Sequence, residues 1–332
     1  MTYNQIIADI KRKVYHPIYV LHGEEEYYID QISDLLEASV LDDNEKEFNL
    51  TILYGLETDD ATIVAESKRY PMMANHNLVI VKEAQNVKSF DHLENYLAQP
   101  LDSTILVLCF KHKKIDGRKK AFKIASQIGV VFESKPIYDN QVGEWVQNYL
   151  KTHGFFISEK AKFLVAESIG TNLSRLVNEL DKLTISLQKG ATINEDDVEK
   201  CIGISKDFNV FELNNALGKK DVAKCNLIIN HFAANEKAYP VVMVVNAVYL
   251  YFSRLIKYLY LTDKTSKNAA AELKINPYFI KDYAVAAKNY DIRKAVAAVY
   301  HLHEADLRSK GVGAANMKQG EILKEMVFKI LH

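Results

Sequence analysis

The sequence predicts three modules in succession: an α/β domain on a mostly parallel sheet, a small three-helix domain, and an all-α C-terminal domain. Three observations predict this. Up to about Lys135, short apolar, β-rich runs alternate with helical patterns, and strands that are continuous apolar runs belong to parallel sheets covered on both faces. After Pro136 the strand pattern fades and apolar residues recur at the spacing of a helix face. From Asn209 onward only helical patterns remain. At 332 residues the chain is long enough for two or three domains, each with its own core.

The first thirteen residues, MTYNQIIADIKRK, mix acid, amide and base and read as an amphipathic helix. Strands are expected at Ile18 to Leu21, Phe48 to Leu53, Leu78 to Val81, Ile105 to Phe110 and Val130 to Phe132, with helices at Ile29 to Val40, Asp60 to Tyr70, Phe90 to Ala98 and Arg118 to Ile128. Three helical stretches follow, NQVGEWVQNYLKTHG, SEKAKFLVAESIG and NLSRLVNELDKLTISLQKG, each ending at glycine, the usual helix stop. Asn194 to Glu199 suits a short capped helix, and Gly203 to Lys206 reads as a link. The last domain holds helices at Val210 to Leu217, Val222 to Ala233, Val241 to Leu261, Lys267 to Leu273, Tyr278 to Lys288, Ile292 to Arg308 and Gln319 to Leu331. Asn276 before Pro277 is a good helix start, since Asn caps and Pro suits the first turn.

The 42 basic and 43 acidic residues leave a net charge of -1, so no global field pulls the molecule towards nucleic acid or membrane. Cys109, Cys201 and Cys225 are far apart and lack C-x-x-C spacing, which argues against a zinc ribbon or disulfide framework and fits a reducing cytoplasm. The N-terminus lacks the apolar stretch of a secretory signal. The apolar window from Val241 is interrupted by Asn246, Ser253, Arg254 and Lys257, so it reads as a buried helix rather than a membrane span.

Where the first apolar run meets Gly23, a phosphate-binding loop would be expected. In the register G-x-x-x-x-G-K-[ST], the second glycine falls on Tyr28, the lysine on Ile29 and the hydroxyl residue on Asp30. Glu24, Glu25 and Glu26 add negative charge where an anion would sit. The strand that should end in the metal-holding Asp-Glu pair is LVIVKE, with Lys82 in place of the aspartate and Glu83 retained. A charged lysine cannot ligate magnesium. The two halves together make a degenerate nucleotide site; no catalytic residue, metal or cofactor is expected.

Lys111, Lys113, Lys114, Arg118, Lys119 and Lys120 form the densest basic run, either a phosphate contact or a solvated loop. Single histidines such as His22, His76, His112 and His231 lack metal-like companions, and His301 and His303 point to different sides of a helix. Tyr249, Tyr251, Phe252, Tyr258 and Tyr260 suit a helical core and a subunit interface. In RYPMMANHNLVIV, Pro71 should end the preceding helix and leave Met72 and Met73 in a short connection. They either plug another protein's pocket or fold back onto the sheet.

The stretches YVLHGEEEYYIDQ, YPMMANHNLVIVKEAQ, LSRLVNELDKL, DFNVFELNNALGKKD and INPYFIKDYAVAAKNY, in this order and spacing, resemble the δ subunit of the bacterial DNA polymerase III clamp loader, an AAA+-like family. The resemblance implies an α/β AAA+-like domain over 1–136, a helical lid over 137–205 and a helical collar over 206–332. It implies a non-hydrolysing subunit of the polymerase III holoenzyme, a nucleotidyltransferase complex. Such a subunit packs beside the ATPase subunits (γ/τ) and δ′, binds the sliding clamp (β subunit) and helps open it for loading onto primed DNA. Family members insert two adjacent hydrophobic side chains, typically leucine or methionine then phenylalanine, into the clamp. Those positions fall on Met72 and Met73, without the aromatic. A δ′-like subunit is an alternative, but its usual zinc-binding cysteines and Ser-Arg-Cys motif do not occur here. An atypical P-loop ATPase is another, separable by nucleotide binding, and a free-standing DNA-binding protein a third, separable by salt dependence.

Overall fold

The apolar runs of the N-terminal half form five strands, β1 Ile18–Gly23, β2 Leu50–Tyr54, β3 Asn77–Lys82, β4 Thr104–Lys111 and β5 Val130–Ser134. All neighbours are parallel, in the order β2-β3-β4-β1-β5. The helices are α1 Tyr3–Lys11, α2 Glu26–Ser39, α3 Asp43–Asn49, α4 Asp60–Ser67, α5 Asp91–Ala98 and α6 Lys120–Ile128. Strand side chains alternate between faces. Leu21, Ile80 and Val107 therefore pack with Ile6 and Ile10 of α1 and Ile29, Ile32 and Leu36 of α2. Val20, Val81 and Leu108 face the other way, towards Ile63 of α4, Leu93 and Leu97 of α5 and Phe122 of α6. This is the doubly covered parallel sheet that the continuous apolar runs require.

One boundary differs from expectation in a way that matters for the site. Phe48 lies not at the start of a strand but in α3, half exposed, and β2 begins only at Leu50. The Asp42 N–H donates to Glu45 Oε2 at 2.9 Å, so a local cap nucleates a turn that apolar periodicity cannot reveal.

The computed structural model describes residues 1–203, 205, 207–313 and 317–332. They divide into two compact units, Met1–Ile137 and Tyr138–His332. Of the expected link at 203–206, Ile204 and Lys206 lie outside the described residues.

The second unit opens with α7 Asp139–Thr152, α8 Glu159–Ile169, α9 Leu173–Ile185 and α10 Glu195–Ile202. It also holds a small parallel pair, β6 Phe156–Ile157 and β7 Thr192–Ile193. Two-residue strands are too short for any periodicity to show. After these come α11 Val210–Lys219, α12 Val222–Ala234, α13 Val241–Tyr260, α14 Ser266–Leu273, α15 Ile280–Asn289, α16 Ile292–Ser309 and α17 Gln319–Leu331. The expected helix from Tyr278 is split, with a 3₁₀ turn at Pro277–Phe279 whose Tyr278 N–H donates to the Asn276 cap at 2.8 Å. On α13, Val244, Val248, Phe252 and Leu255 are fully buried in the apolar core of this unit. α13 is long and apolar enough to span a membrane by composition, but that buried stripe is also what a core helix needs. Tyr251 and Tyr258 are buried with it, whereas Tyr249 and Tyr260 point outward.

The two helical halves of this unit are bridged. The rings of Phe163, Phe211 and Phe279 pack within 4.8 to 5.2 Å of one another. Glu212 of α11 pairs with Lys160 of α8 at 3.2 Å and with Lys224 of α12. Burial opposes charge on Glu212, but hydrogen bonds from Lys224 and Lys160 outweigh it and hold its pKa below the ordinary 4.5. A carboxyl depressed in the folded state contributes stability that is present above its unfolded pKa and is lost as pH falls through the folded one. Glu212→Gln should therefore cost about 1–2 kcal/mol at neutral pH, since both lysines stay partly solvated. Denaturant titrations of the two proteins should converge as pH falls below 4.5 and through the folded-state pKa of Glu212; a pH-independent difference would contradict the ion-pair account.

Candidate functional site

β1 ends at Gly23, whose φ of +136° is open to glycine. A Cβ there would lie 2.0 Å from the Ser134 carbonyl oxygen. The backbone amides that follow are already engaged. Gly23 N–H donates to Lys113 O at 3.1 Å and Glu24 N–H to Ser134 O at 3.1 Å. The Ser134 hydroxyl donates to Glu25 O at 2.6 Å, and the Glu25 carboxylate accepts from Tyr27 N–H at 2.9 Å as the cap of α2. The N-terminus of α2, where a phosphate would bind, thus carries the chain's own carboxylate.

Each substituted position also has a structural occupation. Ile29, at the lysine position, is fully buried in the sheet core. Asp30, at the hydroxyl position, accepts from Lys111 Nζ at 2.7 Å. Lys111 also lies 3.9 Å from Glu26, and His112 Nε2 lies 3.3 Å from the same carboxylate. Lys82, at the metal-aspartate position, stands 4.0 Å from Asp34. Glu83 sits at φ +54° and accepts from Asn86 Nδ2 at 3.1 Å. Glu26, Asp30 and Asp34 recur every fourth residue and so share one face of α2. Lys111 and Lys82, at the ends of β4 and β3, supply the opposite charge. Burial pulls the Lys111 ammonium down, but its bond and charge pairing with Asp30 more than offset this, and its pKa is raised. Asp30 and Lys82 are thus both taken up in ion pairs.

Much of the basic run is likewise matched by carboxylates. Lys114 lies 3.0 Å from Glu133, Arg118 3.0 Å from Asp116 and Lys120 3.7 Å from Glu94. Lys113 and Lys119 are exposed. Pairing reduces the pull of the run on phosphates. The histidines take mixed roles: His22 is buried, His231 stacks on Phe208 at 4.5 Å and His301 pairs with Glu304 at 3.3 Å.

The connection between α4 and β3 is built differently. Met72 is 56% exposed and Met73 is 100% exposed, so neither folds back onto the sheet. Asn49, at the end of α3 and only 2% exposed, receives the Met72 N–H on its Oδ1 at 2.6 Å. Its Nδ2 donates to Met72 O and to Glu45 O, both at 2.9 Å. Met73 then adopts φ +54°, a left-handed conformation unfavourable for a side chain of its kind. Tyr70, 77% exposed, stands on the same connection. The sequence offered no sign of Asn49, because the expected strand at Phe48 to Leu53 covered it.

A parallel α/β module with ion pairs at the end of its first strand, followed by a helical unit, is the architecture of a clamp-loader delta-type subunit. Residues 19–135 match the family model of the DNA polymerase III delta subunit, and residues 207–332 match that of its C-terminal domain. The chain belongs to the DNA polymerase III delta-subunit family, whose members are clamp-loader components. It is 26% identical over 287 residues to the DNA polymerase III subunit delta of Bacillus subtilis, covering 82% of this chain and 81% of that protein. Among solved structures it resembles the Bacillus subtilis DNA clamp loader delta protein, with a TM-score of 0.56, 21% identity and 99% of each chain covered. Membership implies a complex with other clamp-loader subunits.

Proposed function

We propose that this chain binds the sliding clamp, the β subunit, through Met72 and Met73 and helps open the ring for loading onto primed DNA. The single observation that carries this reading is the pair of methionines held outside the core on a backbone fixed by Asn49. Two adjacent, adaptable apolar side chains, one wholly and one more than half exposed, are what a pocket on a partner protein would take up. The ATPase subunits (γ/τ) and δ′ are the proposed neighbours in the assembly, which acts in the cytoplasm. Exposed Lys113 and Lys119 are the members of the basic run best disposed to meet DNA there. The lid and collar boundaries at 137–205 and 206–332 are kept as proposals within the second unit.

Titrating the chain with the host's sliding clamp, carrying fluorophores across its subunit interface, tests this. Association with separation of the fluorophores is expected; a chain that leaves the clamp unbound overturns the reading. The isolated chain should also neither bind ATP tightly nor hydrolyse it, because Ile29 is buried and Lys82 and Lys111 are committed to carboxylates. Magnesium-dependent turnover lost on changing Glu83 would instead favour the ATPase alternative.

A further inference from the structure

We propose that Asn49 is the positioning residue of the clamp-binding tip, an inference that rests on the clamp-binding role of Met72 and Met73. The Asn49 amide satisfies both backbone groups of Met72, as a neighbouring strand would, from a side chain 2% exposed. A third hydrogen bond, to Glu45 O, fixes the amide on α3. Its orientation is thereby set, since oxygen and nitrogen each face a group of matching polarity.

The consequence falls on the next residue. Met73 occupies a left-handed conformation that L residues adopt at a cost and keep only where the surroundings impose it. The peptide group before it is held by Asn49, and Asn77 Nδ2 donates to Glu66 O at 2.9 Å where the connection rejoins the sheet. Met72 is therefore tied down directly, and the connection is tied again where it rejoins β3. A tip ordered before the encounter loses less conformational entropy on binding, and that difference appears as affinity. Asn49 contributes without touching the clamp.

The test is a double-mutant cycle read by clamp affinity, with amide exchange at Met72 as a second readout. Asn49→Ala should weaken clamp binding about tenfold, which corresponds to about 1.4 kcal/mol, and should remove protection of the Met72 amide. In a chain already carrying Met72→Ala and Met73→Ala the same change should have almost no further effect, because the positioned side chains are gone. A merely structural residue would not show this dependence on the doublet. Equal losses in both backgrounds, full affinity in Asn49→Ala, or a Met72 amide still protected in it would each overturn the proposal. Should Asn49→Ala not fold, Asn49→Ser keeps a polar group there but cannot serve both Met72 groups, and full affinity in it is equally fatal. If the methionine double variant itself binds normally, the clamp-binding assignment fails, and that result is distinguishable from failure at Asn49 alone.

Discussion

Changing Met72 and Met73 together to alanine should weaken binding to the sliding clamp by about tenfold or more while leaving the melting temperature unchanged. Burying one methionine side chain is worth roughly 1.5–3 kcal/mol, and each 1.4 kcal/mol is a factor of about ten in affinity. Met73 is wholly exposed and Met72 more than half so, which leaves the native core little to lose. Clamp titration and thermal melting of the one variant give the answer. A stable variant with full clamp affinity would eliminate the site, and a loss of several kcal/mol in stability would mean the side chains belong to the core after all.

Gly23→Ala should be the most damaging single substitution at the end of β1, for steric reasons alone. Its Cβ would stand 2.0 Å from the Ser134 carbonyl oxygen and 2.8 Å from the Ser134 nitrogen and carbonyl carbon, all backbone atoms that cannot rotate away. The residue must also hold φ +136°. The end of β1 would have to part from the end of β5, losing the Glu24 N–H to Ser134 O bond and the Ser134 hydroxyl bond to Glu25 O. A loss of about 3 kcal/mol or more is expected, seen as a fall of about 10 °C in the melting of the α/β unit. A variant melting like the native protein would show that the strand ends can separate freely. The outcome bears on why the glycine is there: close approach of two strands suffices, and phosphate binding is not needed.

Four of the five strands were legible with nearly correct bounds because they are mostly apolar runs, while β2, interrupted by Thr51 and preceded by Asn49, was placed two residues early; the substitutions Ile29, Asp30 and Lys82 were read from a motif register alone. The ion pairs of Asp30 and Lys82 were not legible. Lys111 and Asp30 are 81 residues apart in the chain, and nothing in local pattern pairs them. Asn49 and Met72 are separated by 23 residues, and Asn49 lies in a polar helix, DNEKEFN, with a single apolar side chain. Helix-face periodicity cannot register such a segment; only the cap of Asp42 with Glu45 announces it. The exposed methionines were visible as a choice between two placements, and their exposure rules out the one in which both fold back onto the sheet.

The row of Glu26, Asp30 and Asp34 against Lys111 and Lys82 has a thermodynamic consequence. A protein that binds a nucleotide is stabilised in proportion to the logarithm of its ligand's concentration, so its folding equilibrium follows the energy charge of the cell. On the function proposed above, this chain supplies its own counter-ions in place of that ligand, and the stability of its α/β unit should not change with nucleotide concentration.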